Sequence, residues 1–189
     1  LFSCDDELGA DLTDLFNFLT GLSRQRRFRK LLVAPAGLRE RIMELIAGEV
    51  ERQRSAGDGR IVMKLNSLVD PGIITALCEA SQAGVAVDLI VRGGCSLRPG
   101  VRGVSEGVTV RSIVGSFLEH SRILRFGMGE RATYWIGSAD MMERNLDRRV
   151  EAVVPIRDPA IRARLDRILE VLLADDRRAW QLGTDERWR

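Results

Sequence analysis

The chain has 189 residues, 45% of them hydrophobic and 30% charged, the balance of one globular domain rather than of a disordered segment. Lys+Arg number 29 against 27 Asp+Glu, and a net charge of +2 gives no electrostatic footprint for nucleic acid. Three scattered cysteines (Cys4, Cys78, Cys95) and a single histidine exclude a zinc centre and a disulfide framework, and no apolar run reaches the ~18 residues of a membrane span.

Leu12, Leu15, Phe16, Leu19 and Leu22 recur at helical spacing and predict an amphipathic helix over 10–22. A basic linker, SRQRRFRK, leads into Leu31-Leu32-Val33, a short strand that Pro35 ends. Leu38, Ile42, Leu45, Ile46 and Val50 mark a second helix from Gly37 to about Arg54, and the turn AGDGR leads to a strand at Ile61–Leu65. Asp70-Pro71 starts a third helix, with Asp as N-cap and Pro at the first helical position, ending near Gly84. VAVDLIV (85–91) is a buried strand, followed by the glycine-rich loop RGGCSLRPGVRG (92–103). Strands are then expected at 108–114, 121–126, 132–137 and 148–156, and a last helix from Asp158-Pro159 to about Trp180.

This order predicts one α/β domain over residues 1–189: a mixed, mainly parallel sheet with helices on both faces. The N-terminus has no signal-peptide core and no initiator methionine, so the chain reads as a cytosolic fragment.

The chemistry concentrates in two places. In Phe117-Leu-Glu-His-Ser-Arg122, a strand would put His120 and Arg122 on one side, a histidine beside a guanidinium that can neutralise phosphate oxygens. Gly137-Ser-Ala-Asp140 would end the next strand close to them, with Ser138 offering a hydroxyl and Asp140 a carboxylate able to fix an imidazole tautomer. Arg92 ends the most apolar strand and opens onto Gly93-Gly94, whose amides can join its guanidinium around a phosphate. Only Lys30 and Lys64 are lysines; every other basic side chain is arginine, whose planar fork matches phosphate. Gly127-Met-Gly-Glu-Arg-Ala132 formally matches a dinucleotide fingerprint, but it joins two strands and opens no helix, so it reads as a hairpin turn.

The H-x-basic and G-S elements resemble the phospholipase D half-motif, with Arg122 in place of the usual lysine. Over nearly the whole chain, KLNSLVD (64–70), EASQAGVAVDLIVRG (79–93), SIVGSFLEHSRI (112–123) and IGSADMMERNLDRRVE (136–151) resemble the C-terminal region of bacterial polyphosphate kinases. The resemblance implies a phospholipase-D-like domain, the second of two. It belongs to an enzyme that reversibly transfers the terminal phosphate of ATP to polyphosphate through a phosphohistidine. It implies His120 as the second essential histidine and Arg92 as an ATP-phosphate contact, with Arg122, Ser138 and Asp140 as weaker candidates and no metal ligand in this chain.

Mg²⁺ and the phosphorylated histidine would belong to the preceding domain, which leaves the isolated domain inactive. ATP or ADP, polyphosphate, the preceding domains and a homo-oligomeric assembly are the implied partners, in the cytoplasm with peripheral inner-membrane attachment left open. Ser116 departs from the family's usual basic residue. A phospholipase-D-like phosphodiesterase half and a degenerate polyanion-binding or oligomerisation domain are the alternatives.

Overall fold

The computed structural model describes residues 3–24 and 27–189. Gln25 and Arg26 of the basic linker lie outside them. Helix α1 spans Asp6–Leu19 and begins ahead of the expected Ala10, because the Asp5 side chain caps the amide of Leu8 and Asp6 and Glu7 sit at the positive end of the helix dipole. Strand β1 (Leu32–Ala34) stops at Pro35 as expected. Helix α2 (Leu38–Ala56) ends at Gly57, whose φ of 72° is the left-handed conformation glycine adopts without strain. Then follow β2 (Arg60–Leu65), α3 (Pro71–Gln82, capped by Asp70), β3 (Ala86–Val91), β4 (Val108–Ile113), β5 (Arg122–Phe126), β6 (Thr133–Gly137), β7 (Glu151–Ile156), α4 (Pro159–Leu173, capped by Asp158) and β8 (Ala179–Gln181). The 127–132 segment is the β5–β6 hairpin turn that the sequence predicts.

The eight strands form one sheet in the order β1-β7-β6-β5-β2-β3-β4-β8. It is mixed, but the expectation that it is mainly parallel does not hold. Only β2–β3 and β3–β4 are parallel; every other neighbouring pair is antiparallel. A parallel neighbour needs a long crossover, which α3 and the 92–107 loop supply, whereas the short 127–132 connection between β5 and β6 permits only antiparallel pairing.

The last helix also ends earlier than expected. Asp175 accepts hydrogen bonds from the amides of Arg177 and Arg178 (2.8 and 2.9 Å), turning the chain so that Trp180 lies on β8 against β4.

Strand alternation sorts the apolar side chains onto two faces. One face buries Ile61, Met63, Leu65, Leu89 and Leu124 with Ile42 and Ile46 of α2 and Leu77 of α3. The other packs Val62, Ile90, Ile123 and Tyr134 against Leu165 and Leu169 of α4, and α1 closes its far end with Leu8 and Leu15 clustered on Val33 of β1. Helices thus cover both faces.

Candidate functional site

The carboxyl ends of β2, β3, β4 and β6 and the amino ends of β5 and β7 lie along one edge of the sheet, as the registers require. Segment Lys64–Asp70, leaving β2, ties this edge together. The amide of Leu68 donates to the carbonyl of Gly94 (2.8 Å), and that of Ser96 donates to the Leu68 carbonyl (2.9 Å). The amides of Val69 and Asp70 both donate to the Met141 carbonyl, and Met141 donates back to Ser67. Gly93 is needed because a Cβ there would come within 2.9 Å of the Asn66 carbonyl. The loop after β3 and the loop after β6 are thereby fixed against the end of β2.

Arg122 and Asp140 meet at this edge. The Arg122 guanidinium donates from Nη2 to Asp140 Oδ2 (2.8 Å) and from Nε to Oδ1 (3.3 Å), while Nη1 donates to the His120 carbonyl (3.0 Å). Asp140 Oδ1 also accepts from the amides of Asn66 and Ser67 (2.7 and 3.2 Å). Each oxygen of this buried carboxylate therefore has a donor, and the Arg122 fork is filled by a carboxylate and a carbonyl.

The sequence expectation placed His120 and Arg122 side by side on a strand. In the structure β5 begins at Arg122, and His120 belongs to the irregular segment 114–121. Arg122 thus holds the backbone of His120 rather than sharing a face with its imidazole. The imidazole itself is exposed and makes no hydrogen bond or ion pair among the described residues. Ser116 lies in the same segment, exposed, next to Phe117 and Leu118, which are 85% and 68% exposed.

Arg92 stands where the sequence places it, one residue past β3. Its amide donates to the Leu65 carbonyl (3.1 Å), and its carbonyl accepts from the Ser112 hydroxyl (3.0 Å). Its side chain is half-buried, makes no ion pair among the described residues, and has a buried Nε without a hydrogen-bond partner.

Two neighbours escaped the sequence reading. Lys64, 2% exposed on β2, directs its ammonium to the Ser121 carbonyl (3.2 Å) and to Glu119 (3.3 Å). Burial pushes its pKa down and the charges of Arg92 and Arg122 add to that, against the opposing pull of Glu119. Asn66 is buried, and neither polar atom of its side-chain amide has a hydrogen-bond partner among the described residues. A lysine within an apolar strand pattern carries no signal in one dimension; only the β2–β5 pairing sets it beneath the histidine segment.

Ser138 is drawn away from the histidine. Its hydroxyl donates to Glu151 Oε2 (2.5 Å), and the other oxygen of Glu151 accepts from the Asn145 amide. Gly137 is obligatory at this β6–β7 contact, since a Cβ would sit 2.3 Å from the Ala152 carbonyl. Arg148 and Arg149 are exposed and paired with Glu143 and Glu151. Among the described residues no group of three or more His, Cys, Asp or Glu side chains is arranged to hold a metal ion, and Glu119 and Asp140 are already held by Lys64 and Arg122. These residues do not fit a Mg²⁺ cage.

This edge carries Arg92, Arg122 and the exposed His120, and comparison with known proteins shows the family to which the chain belongs. The family model described as polyphosphate kinase C-terminal domain 2 matches residues 31–189. The chain belongs to that family. It is 57% identical over its whole length to a polyphosphate kinase of Thermosynechococcus vestitus, of which it covers 26%. It is 53% identical to one of Mycobacterium avium, again over all of this chain and 26% of the relative. The chain therefore spans about a quarter of the length of these polyphosphate kinases.

The crystal structure of the Porphyromonas gingivalis polyphosphate kinase matches with a TM-score of 0.94 and 38% identity, covering 98% of this chain and 28% of that one. The phospholipase D family member Nuc from Salmonella typhimurium, 19% identical with a TM-score of 0.57 over 79% of this chain and 95% of Nuc, shares the fold alone. The phospholipase-D-like architecture expected from the sequence is thus the one found.

Proposed function

We propose that this chain is the second C-terminal domain of a polyphosphate kinase that reversibly transfers the terminal phosphate of ATP to polyphosphate through a phosphohistidine. In this reading Arg92 grips ATP phosphate oxygens, and His120 is a phosphate ligand or acid–base group rather than the phosphorylated residue. The observation that carries it is the pairing state of the site. Arg122 is occupied by Asp140, whereas the Arg92 side chain, past the carboxyl end of β3, and the His120 imidazole, ahead of the amino end of β5, are left without protein partners among the described residues. Phosphoryl transfer is largely positioning and neutralisation of charge on the equatorial oxygens, and a fixed guanidinium supplies both.

Mg²⁺, which screens the phosphates when bound, is assigned to residues outside this chain, as is the phosphorylated histidine. ATP, ADP and polyphosphate are its ligands, and the other domains of the parent enzyme and further copies its partners.

In the full-length enzyme that contains this domain, His120→Ala and Arg92→Ala should each lower ATP-dependent polyphosphate synthesis by about 10²- to 10³-fold. The 189-residue chain alone should bind tripolyphosphate without turnover. Synthesis of polyphosphate by the isolated chain at the rate of the full enzyme would refute the division of labour. Hydrolysis of a phosphodiester by the chain, lost in His120→Ala, would instead favour a phospholipase-D-like hydrolase.

A further inference from the structure

We propose that Lys64, Asn66 and Arg92 form the floor of a phosphate-oxygen subsite at the carboxyl ends of β2 and β3, and that the Glu119 carboxylate holds this subsite while no anion is bound. The proposal rests on the functional reading above and adds to it the donors and the group that competes with the ligand.

The register brings the three donors together. Lys64 pairs with Ile90 and Leu65 with Val91 in the parallel β2–β3 ladder, and the ladder bonds continue past both strand ends through Arg92 to Leu65 and Gly93 to Asn66 (3.1 and 2.8 Å). Asn66 therefore lies beside Arg92. Strand alternation carries both to the face of Lys64, Val62 and Ile90, opposite the face that holds Leu65 and Met63.

Each donor is incompletely satisfied. The Asn66 residue is 5% exposed, yet its side-chain amide oxygen and nitrogen have no hydrogen-bond partner among the described residues, a standing cost that buried polar groups in native proteins rarely carry without a ligand. The Nε of Arg92 is in the same condition. The Lys64 ammonium is desolvated, and a buried charge of that kind requires an anion.

The anion present is a makeshift one. Asp140 is taken by Arg122 and two backbone amides, so the carboxylate left to Lys64 is that of Glu119, 3.3 Å from the ammonium, and Arg92 has none among the described residues. Glu119 is 33% exposed and sits on a segment outside any strand or helix. Ion pairs with so exposed a partner are weak, and a phosphate brings more charge and three acceptor oxygens to the same ammonium. Because Glu119 is adjacent to His120, an anion that displaces it also changes the neighbour of the histidine.

Tripolyphosphate binding to the 189-residue chain, measured by titration calorimetry at fixed ionic strength, separates these statements. Asn66→Leu, nearly equal in volume, should weaken binding roughly tenfold to a hundredfold while the anion-free protein melts no lower than the parent. Asn66→Ser serves the same end if the leucine variant does not fold. Glu119→Gln should tighten binding several-fold, because the competing charge is gone. Unchanged affinity in both the Asn66 and Glu119 variants, with binding still lost in Arg92→Ala, would overturn the subsite and leave the functional reading standing. No tripolyphosphate binding by the parent chain would overturn both.

Discussion

Arg122 and Asp140 show how one pair can set the backbone of a residue whose own side chain takes no part, since Arg122 Nη1 also donates to the His120 carbonyl. Their side chains are 14% and 8% exposed, so removing one partner strands a charge away from water. Asp140→Ala also orphans the amides of Asn66 and Ser67, and should lower stability by about 3–5 kcal/mol in urea unfolding. Arg122→Lys keeps the charge but not the two-pronged geometry, and should cost only about 1–2 kcal/mol in the same measurement. The sequence made both residues visible through the H-x-R and G-S-x-D spacings, but suggested roles on phosphate. A motif records which residues occur together. Which of them faces ligand and which faces protein depends on where the strand begins, and β5 begins at Arg122, two residues later than a shared face with His120 requires.

Elements built on periodicity and capping were readable, and those built on distant pairing were not. Helices α3 and α4 start at Asp-Pro pairs whose carboxylates accept the Ile73 and Ile161 amides, a local signal that survives any tertiary context. Strand β8 has three residues and no pattern of its own; it exists because β4 offers an open ladder. The docking of α1 was equally hidden. The expected apolar stripe is buried only at Leu15, with Leu12, Phe16, Leu19 and Leu22 exposed; the buried face of α1 is Leu8, Asp11 and Leu15, and Asp11 accepts from the amides of Arg29, Lys30 and Leu31 (2.8, 2.6 and 2.9 Å) and pairs with the Arg29 guanidinium. Asp11→Ala leaves three amides and a guanidinium without that acceptor. It should destabilise the chain by about 3 kcal/mol or more in urea unfolding and raise hydrogen exchange across 27–34.

At the scale of the molecule, carboxylates hold distant segments together. Arg39 on α2 bridges Asp70, the cap of α3, and Asp147 in the loop before β7, and its guanidinium holds both carboxyls below the usual range. Burial raises the Asp11 carboxyl, but the three amides and Arg29 outweigh it, and its pKa too falls. For groups depressed on folding, the stabilisation is present above the unfolded value of about 4 and is lost as pH falls through the folded value. The urea midpoint should therefore change little from pH 7 to 5 and drop steeply below pH 4. Asp70→Asn should flatten that drop as well as lower the midpoint at pH 7.

The two outermost strands, β1 and β8, are three residues long, while the strands between them run to five or six. Each flank of an eight-stranded sheet thus presents a rung or two of open ladder where a full-length strand would present a template. Edge-to-edge recruitment of a second molecule, the first step towards cross-β fibrils, finds almost nothing to copy. Copies of such a domain held close together have little open ladder through which to zip to one another.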